Sequence, residues 1–343
     1  MKAIVSERHG PGSVVMKEMP EPGSPPPGHV LLKMKAVGVC GSDIHMYHGS
    51  ESYPRKSPVI LGHEMTGVVA EAGEGVVDFR KGQRVVSETA FSVCGKCYNC
   101  RRGNYNLCPG RMGFGALTDG GMAEYLIVRQ GILHHVPDGV DDITAALTEP
   151  SCVAFNAVST LGRIEPGDSV LIIGPGPIGL LSLQVALLRS PYEVSVLGTK
   201  RDSRRLETAR SVGADRVFED ATEAAGALRT AGWGDGVDVV VDASGVSATM
   251  KTALDAVRPG GRIIKVGWGP DIPDFNLDGI VAKAVELRGS FSHNWETWER
   301  VMRLFRNGRL KSSRIARSYA FDDWESAFDD MSKLQIAKGV LMI

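Results

Sequence analysis

Residues Ser169 to Gly179 constrain the fold more than any other stretch of this chain. Ser169-Val170-Leu171-Ile172-Ile173 is a short apolar run that reads as a buried strand. It leads into Gly174-Pro175-Gly176-Pro177-Ile178-Gly179, and an apolar helix is expected over Leu180–Leu188. Strand, glycine loop and helix in that order suit the pyrophosphate of a dinucleotide. Gly174 permits the tight turn, Gly176 lets backbone approach the phosphates, and Gly179 lets the helix pack on the strand. The helix N-terminus beyond Pro177 and Ile178 then offers unpaired N–H groups to an anion.

Past the loop, strands and helices alternate: Val194–Leu197, Ser203–Val212, Arg216–Phe218, Val237–Val241, Ala248–Val257 and Arg262–Val266. That alternation predicts an α/β fold, a parallel sheet with helices on both faces. Asp242-Ala243-Ser244-Gly245 falls where the crevice at the carboxyl ends of the strands should lie. An acidic residue roughly 20 residues past the loop would grip the ribose hydroxyls of NAD. Leu197-Gly198-Thr199-Lys200-Arg201-Asp202 stands there instead. Gly198 leaves room beside Thr199, and Lys200 and Arg201 either neutralise a 2′-phosphate or form a solvated turn. Asp202 is the counter-candidate, though it is also placed to cap a helix starting at Ser203. The missing acid tips the expectation to NADP, with NAD as the alternative.

A chain of 343 residues predicts two domains. The part before Pro150 is β-rich, with strands expected at Val30–Val37, Val68–Glu71 and Arg84–Val86 after a Pro/Gly-rich connector from Pro20 to Gly28. From about Phe291 the chain returns to isolated helices and ends in Gly339-Val340-Leu341-Met342-Ile343, a strand expected to rejoin the first domain. A formal net charge of −1 gives no general pull toward nucleic acid or an anionic membrane. No apolar run approaches a membrane span, and Met1–Val5 reads as a strand rather than a signal peptide, so a cytoplasmic enzyme is expected.

Cys94-x2-Cys97-x2-Cys100-x7-Cys108 is the densest chemical signal. Four thiolates this close can close a tetrahedron around zinc with no open position, which makes the site structural. Disulfides conflict with the expected compartment. Lys96, Arg101, Arg102 and Arg111 surround the run and would offset part of its negative charge. A second group is different. Cys40 and His63 are joined by the carboxylates of Glu64 and, far downstream, Glu149. Thiolate, imidazole and carboxylate are zinc donors, and three of them plus an open position form a catalytic site. His9, His29, His48, His134, His135 and His293 lack such company and read as ordinary core or surface residues.

Gly62-His63-Glu64-x2-Gly67-x5-Gly73-x2-Val76 resembles the zinc signature of the medium-chain alcohol dehydrogenase family at every fixed position. With the four cysteines and the glycine loop, the resemblance covers essentially the whole chain, and it is greatest to the sorbitol (polyol) and threonine dehydrogenase branch. It implies a GroES-like catalytic domain, residues 1–155 and 291–343, interrupted by a Rossmann domain, residues 156–290. It makes Glu149 the third zinc ligand, with Cys152 an alternative, and Glu64 either a direct ligand or one that exchanges with water. Cys40 and Glu149 already cancel the charge of Zn²⁺, which favours the exchanging role for Glu64.

The resemblance further implies two zincs per chain and reversible oxidation of a secondary alcohol, such as a polyol or sugar, to a ketone with NADP or NAD. Threonine and 2,3-butanediol are the alternative substrates. Ser42 would take the proton and His45 release it to water. Tyr47, Phe91 and Phe114 would approach the pocket, although Ala316-Arg317 departs from the Thr-His pair of many relatives. A homo-oligomer, tetramer or dimer, is implied as well. From other classes, a non-catalytic nucleotide- and zinc-binding protein would not need Cys40, Ser42, His45, His63 and Glu149 together. A zinc-ribbon module for nucleic acid conflicts with the near-neutral charge.

Overall fold

The computed structural model describes residues 1–50, 53–230, 234–269 and 276–343. The first half opens with β1 (Lys2–Ser6), β2 (Val14–Glu18), β3 (His29–Gly38) and helix α1 (Gly41–His48). β4 (Val59–Ile60), β5 (Glu64–Ala72), β6 (Arg84–Ser87) and β7 (Ala90–Ser92) follow, then the short α2 (Tyr98–Arg101) among the cysteines. β8 (Met112–Gly113), β9 (Tyr125–Arg129) and β10 (Leu133–His135) lead to α3 (Asp142–Ala146) and α4 (Thr148–Phe155). In β3, buried Val30, Leu32, Met34 and Ala36 alternate with Leu31, Lys33 and Lys35, the period of a strand with one face on the core.

From Ser169 the chain alternates. The elements are β11 (Ser169–Ile173), α5 (Pro177–Leu187), β12 (Glu193–Leu197), α6 (Ser203–Val212), β13 (Arg216–Phe218) and α7 (Ala221–Leu228). β14 (Val237–Asp242), α8 (Thr249–Ala256), β15 (Val257–Lys265), α9 (Asp278–Ala282) and β16 (Glu286–Gly289) complete the series. The strands pair in parallel in the order β13-β12-β11-β14-β15-β16. The order reverses between β11 and β14, so the crevice opens at Ile173 and Asp242. Val170, Ile172, Val194 and Val239 share one buried cluster with α5 and α6, while Leu171, Ile173, Leu197 and Val240 share another with α7 and α8. Helices cover both faces, and so these strands carry continuous apolar runs. Gly179 holds the first crossover tight, because a Cβ there would lie 1.9 Å from the carbonyl oxygen of Gly174.

After α10 (Trp295–Arg306), β17 (Ala316–Ala320) and α11 (Trp324–Ser332), the chain reaches β18 (Lys338–Met342). β18 pairs antiparallel with β3, Leu341 opposite Val37, and parallel with β17. Among the described residues a seven-stranded sheet results, in the order β10-β6-β5-β3-β18-β17, with β9 also bonded to β3. Helix α10 shares its core with the parallel sheet and α4 through Trp298, Val301 and Phe305. No helix among the described residues is long and apolar enough to cross a membrane.

Leu341 is fully buried where β18 docks on β3. Leu341→Ala should cost about 2–5 kcal/mol of stability, read from the urea midpoint at unchanged slope. A loss near zero would mean that β18 is not packed as described.

Candidate metal and coenzyme cleft

The pairing of β3 with β5 sets the site. Gly38 ends β3 opposite Glu64, which begins β5. A Cβ on Gly38 would lie 2.2 Å from Oε2 of Glu64, so only glycine lets that carboxylate fold back across the strand. Cys40 follows at once as the N-cap of α1, with its backbone N–H donated to Asp43 Oδ2 at 2.8 Å. His63 directly precedes β5. The donor atoms of Cys40, His63 and Glu64 all lie within 4.8 Å of one another.

The electrostatics of this group call for a cation. Burial works against a charged His63, but the Cys40 thiolate, then Asp43 and Glu149, outweigh it and lift its pKa to about 10. Thiolate, imidazole and carboxylate at this spacing fit zinc. Glu64 is not alone in its charge. Lys338, at the start of β18 and 1% exposed, donates to Glu64 Oε1 at 2.6 Å and to the Val39 carbonyl at 2.8 Å, with its Nζ 2.5 Å from Glu64 Oε2. Burial pulls the Lys338 pKa down, but Glu64 and the Cys40 thiolate raise it on balance; burial raises that of Glu64, with Lys338 opposing.

Glu149, near the start of α4, stands beside this group rather than within it. Its Oε1 accepts from Thr89 Oγ1 at 3.1 Å and from His293 Nε2 at 3.0 Å. Burial would raise its pKa, but His293, His63 and Thr89 prevail and hold it at about 2. The indole N–H of Trp298 donates to His293 Nδ1 at 2.7 Å. An indole can only donate, so Nδ1 must accept and the neutral ring's proton sits on Nε2, aimed at Glu149. His293, grouped in the sequence with ordinary histidines, therefore belongs to the site.

His134 changes standing too. It bridges Glu88 at 3.2 Å and Glu299 at 2.8 Å and stacks on Trp298 with centroids 5.2 Å apart. The sequence signals for these residues were faint. Lys338 is the one charged residue opening an otherwise apolar strand, and His293 immediately precedes the Asn294 cap of α10.

Cys40, His63, Glu64, Thr89, Glu149 and Lys338 line one cleft of about 510 Å³, together with Gly176, Pro177 and Ile178 of the glycine loop and Ala243–Gly245 beyond β14, while His293 stands behind Glu149. Ser42 and His45 lie three apart on α1 and both face it. Ser42 Oγ is buried without a hydrogen-bond partner among the described residues, while His45 is exposed and its Nδ1 meets Ser50 Oγ at 3.1 Å. Phe114 lines the cleft. Tyr47 and Phe91 do not: Tyr47 packs edge-on against Trp324 and Phe328, and Phe91 supports Phe114 from behind at 5.4 Å. Tyr53 lines the cleft instead, its hydroxyl donating to the Ser42 carbonyl at 2.7 Å. Cys152 is fully buried and lies outside the donor group.

The glycine loop fits a dinucleotide. A Cβ on Gly176 would meet no protein atom within 4 Å, so the backbone there is open to a ligand. At the end of β12, Asp202 does not cap α6 with its side chain. It accepts from Thr199 N at 3.0 Å and Thr199 Oγ1 at 2.7 Å, closing its own turn. Gly198 closes against Pro175, while Lys200 and Arg201 stand exposed.

The four cysteines converge separately, all free of disulfides and with sulfurs within 4.8 Å of one another. Cys94 and Cys100 are 4.0 Å apart, against about 3.8 Å for the edge of a zinc–thiolate tetrahedron. Backbone N–H groups of Lys96 and Cys97 hold the Cys94 thiol at about 6, while burial and the neighbouring cysteines push Cys100 up to about 12. Four thiols this close need a cation before all can ionise. Of the cations around them, Lys96, Arg101 and Arg102 are exposed, whereas the side chain of Arg111 lines the cleft.

A parallel nucleotide-binding sheet joined to a β-rich half, with a zinc-type donor group between them, defines a metal-dependent nicotinamide oxidoreductase. Residues 26–138 match the alcohol dehydrogenase GroES-like domain and residues 177–307 the zinc-binding dehydrogenase domain. The chain is 40% identical to a sorbitol dehydrogenase of Halalkalibacterium halodurans, covering 99% of each. It is 37% identical to a D-arabitol-phosphate dehydrogenase of Enterococcus avium, covering 88% of this chain and 86% of that one. Among solved structures, a zinc-binding dehydrogenase-type chain from Sinorhizobium meliloti bound to NADP superposes with a TM-score of 0.88 at 30% identity, covering 100% and 99%. The chain belongs to the zinc-dependent medium-chain alcohol dehydrogenase family, in its polyol and threonine dehydrogenase branch.

Trp298→Phe keeps a ring in the core but removes the donor that fixes the His293 tautomer. Zinc retention against a competing chelator should fall about 10-fold at one of the two metal sites, with the other unchanged. Equal retention at both would show that Glu149 needs no such support.

Proposed function

We propose that the chain reversibly oxidises a secondary hydroxyl of a polyol or sugar to the ketone, using zinc and NADP in preference to NAD. The observation that carries the reading is one cleft shared by the Cys40–His63–Glu64 donors, Glu149 and the glycine loop. Cys40, His63 and Glu149 would hold the catalytic zinc. Glu64, its charge answered by Lys338, would exchange in and out as the substrate oxygen comes and goes. Cys94, Cys97, Cys100 and Cys108 would hold the second zinc.

Zinc supplies Lewis acidity that lowers the pKa of a bound hydroxyl, and the oxidised coenzyme takes up hydride. The protein's own groups do the rest. The unpartnered Ser42 hydroxyl accepts the substrate proton, and exposed His45 passes it to solvent. Phe114 narrows the cleft on the substrate side, which keeps bulk water from the reacting carbon. Gly174, Gly176 and Gly179 would bring backbone to the pyrophosphate, and Lys200 and Arg201 would meet the 2′-phosphate. The turn closed by Thr199 and Asp202 supports this preference, because it keeps the nearest carboxylate engaged. Six free cysteines fit a reducing, cytoplasmic compartment. The family resemblance supports a homo-oligomer, tetramer or dimer.

Metal analysis should find about two zincs per chain, and Cys40→Ser should lose one of them with at least about a 100-fold drop in dehydrogenase activity while remaining folded. Full activity in that variant would refute the assignment. Lys200→Ala with Arg201→Ala should weaken NADPH by about 10-fold or more and NADH far less, as titrated by coenzyme fluorescence. Equal weakening would count against the phosphate role.

A further inference from the structure

Among the described residues, the charges of the cleft balance but for one. In the reading above, the Cys40 thiolate and the Glu149 carboxylate answer a divalent ion, and Lys338 answers Glu64. Arg111 is left over. Its side chain lines the same cleft as Ser42, His63 and Phe114, with the guanidinium carbon 5.6 Å from the centre of the Phe291 ring. Its Nε is buried without a hydrogen-bond partner among the described residues. Glu149 and Glu88 act on the guanidinium only through space, against the larger effect of burial.

An arginine stays charged at any working pH, so it cannot escape the cost of a half-buried position by losing a proton. That cost is offset when an anion presenting two oxygens meets the guanidinium fork. The cysteine lobe does not account for the placement. Arg111 follows Cys108 by three residues and its backbone N–H bonds the Cys108 carbonyl at 3.0 Å, yet its side chain runs to the cleft. The glycine loop shares the cleft, but it meets coenzyme phosphates through the start of α5, whereas Arg111 directly precedes β8 and its guanidinium lies against Phe291.

We infer that Arg111 selects the substrate, and that the substrate is an acidic polyol or sugar derivative with a carboxylate or phosphate remote from the hydroxyl that is oxidised. The inference rests on the dehydrogenase reading and narrows it. Carboxylate and phosphate share the chemistry that Arg111 recognises, a pair of oxygens carrying negative charge.

The test is a steady-state assay of zinc-loaded enzyme with each coenzyme over five- and six-carbon polyols, the matching aldonates and the terminal polyol phosphates. Wild type should prefer an acidic series, and the preferred series tells carboxylate from phosphate. Arg111→Met should lower kcat/KM for it roughly 100-fold, mainly through KM, with a drop for neutral polyols at least about tenfold smaller. Arg111→Lys should recover part of the loss, and added salt should lower wild-type kcat/KM for the acidic series only. Preference for neutral polyols, an equal drop for both series, or a rise confined to the coenzyme KM would overturn the inference. Unchanged zinc in the four-cysteine site checks that the variant is folded.

A calorimetric titration with D-gluconate and with inorganic phosphate reads Arg111 without turnover. If neither protein oxidised any hydroxy compound, the dehydrogenase reading would fall. Anion binding lost in Arg111→Met would then still uphold the role of Arg111, and its retention would not.

Discussion

The ion pair between Lys338 and Glu64 is the contact on which the site depends. Each side chain is 1% exposed, so removing both charges from water carries a penalty of several kcal/mol per ion. Close geometry offsets it: ion-pair contacts of 2.6 and 2.5 Å, and a bond donated to the Val39 carbonyl. The two residues are 274 positions apart, with the whole parallel sheet between them. Glu64 therefore gains its cation only when β18 has docked on β3. Leaving either charge unpaired would be worse than having neither, and that asymmetry ties docking of the last strand to the placement of Glu64.

A second buried network braces the other carboxylate. Tyr105, beside the cysteine lobe, donates to Glu88 at 2.8 and 2.7 Å; Glu88 meets His134, and His134 stacks on Trp298. Trp298 in turn bonds His293, which bonds Glu149. Trp298 is fully buried in the cluster that α10 shares with the parallel sheet. The position of Glu149 is thus set by elements of both halves and by the lobe. The cysteine lobe contributes no donor to the Cys40–His63–Glu64 group; through Tyr105 it holds one end of this network.

The legible features of the sequence were the local ones. The helix over Ser203–Val212 and the strand over Arg216–Phe218 were read at the bounds the structure shows, because strand–helix alternation carries its own period. The cysteine quartet was legible for the same reason, with all its donors inside fifteen residues. Illegible were the partners that meet only through the tertiary fold. Nothing near His293 signals that Trp298 will set its tautomer, and nothing near Lys338 points to Glu64. Tyr47 and Phe91 were expected in the pocket because aromatic residues suit either a pocket or a core. The packing of α1 against α11 sent Tyr47 to the core.

The same division explains why substrate choice is harder to read than chemistry. Donor identity follows from what zinc accepts, and glycine loops follow from what a pyrophosphate needs, so both leave short fixed patterns. Specificity is a matter of which charge in the cleft remains without an internal partner, and that is a sum over the whole fold. Lys338 and Arg111 are both cations in one cleft, separated in sequence by more than two hundred residues. Glu64 neutralises one of them at hydrogen-bond distance, while no carboxylate among the described residues reaches the guanidinium fork of the other. The two cations look alike in the sequence, and only the strand pairing that brings Glu64 to Lys338 decides which of them is left to face a ligand.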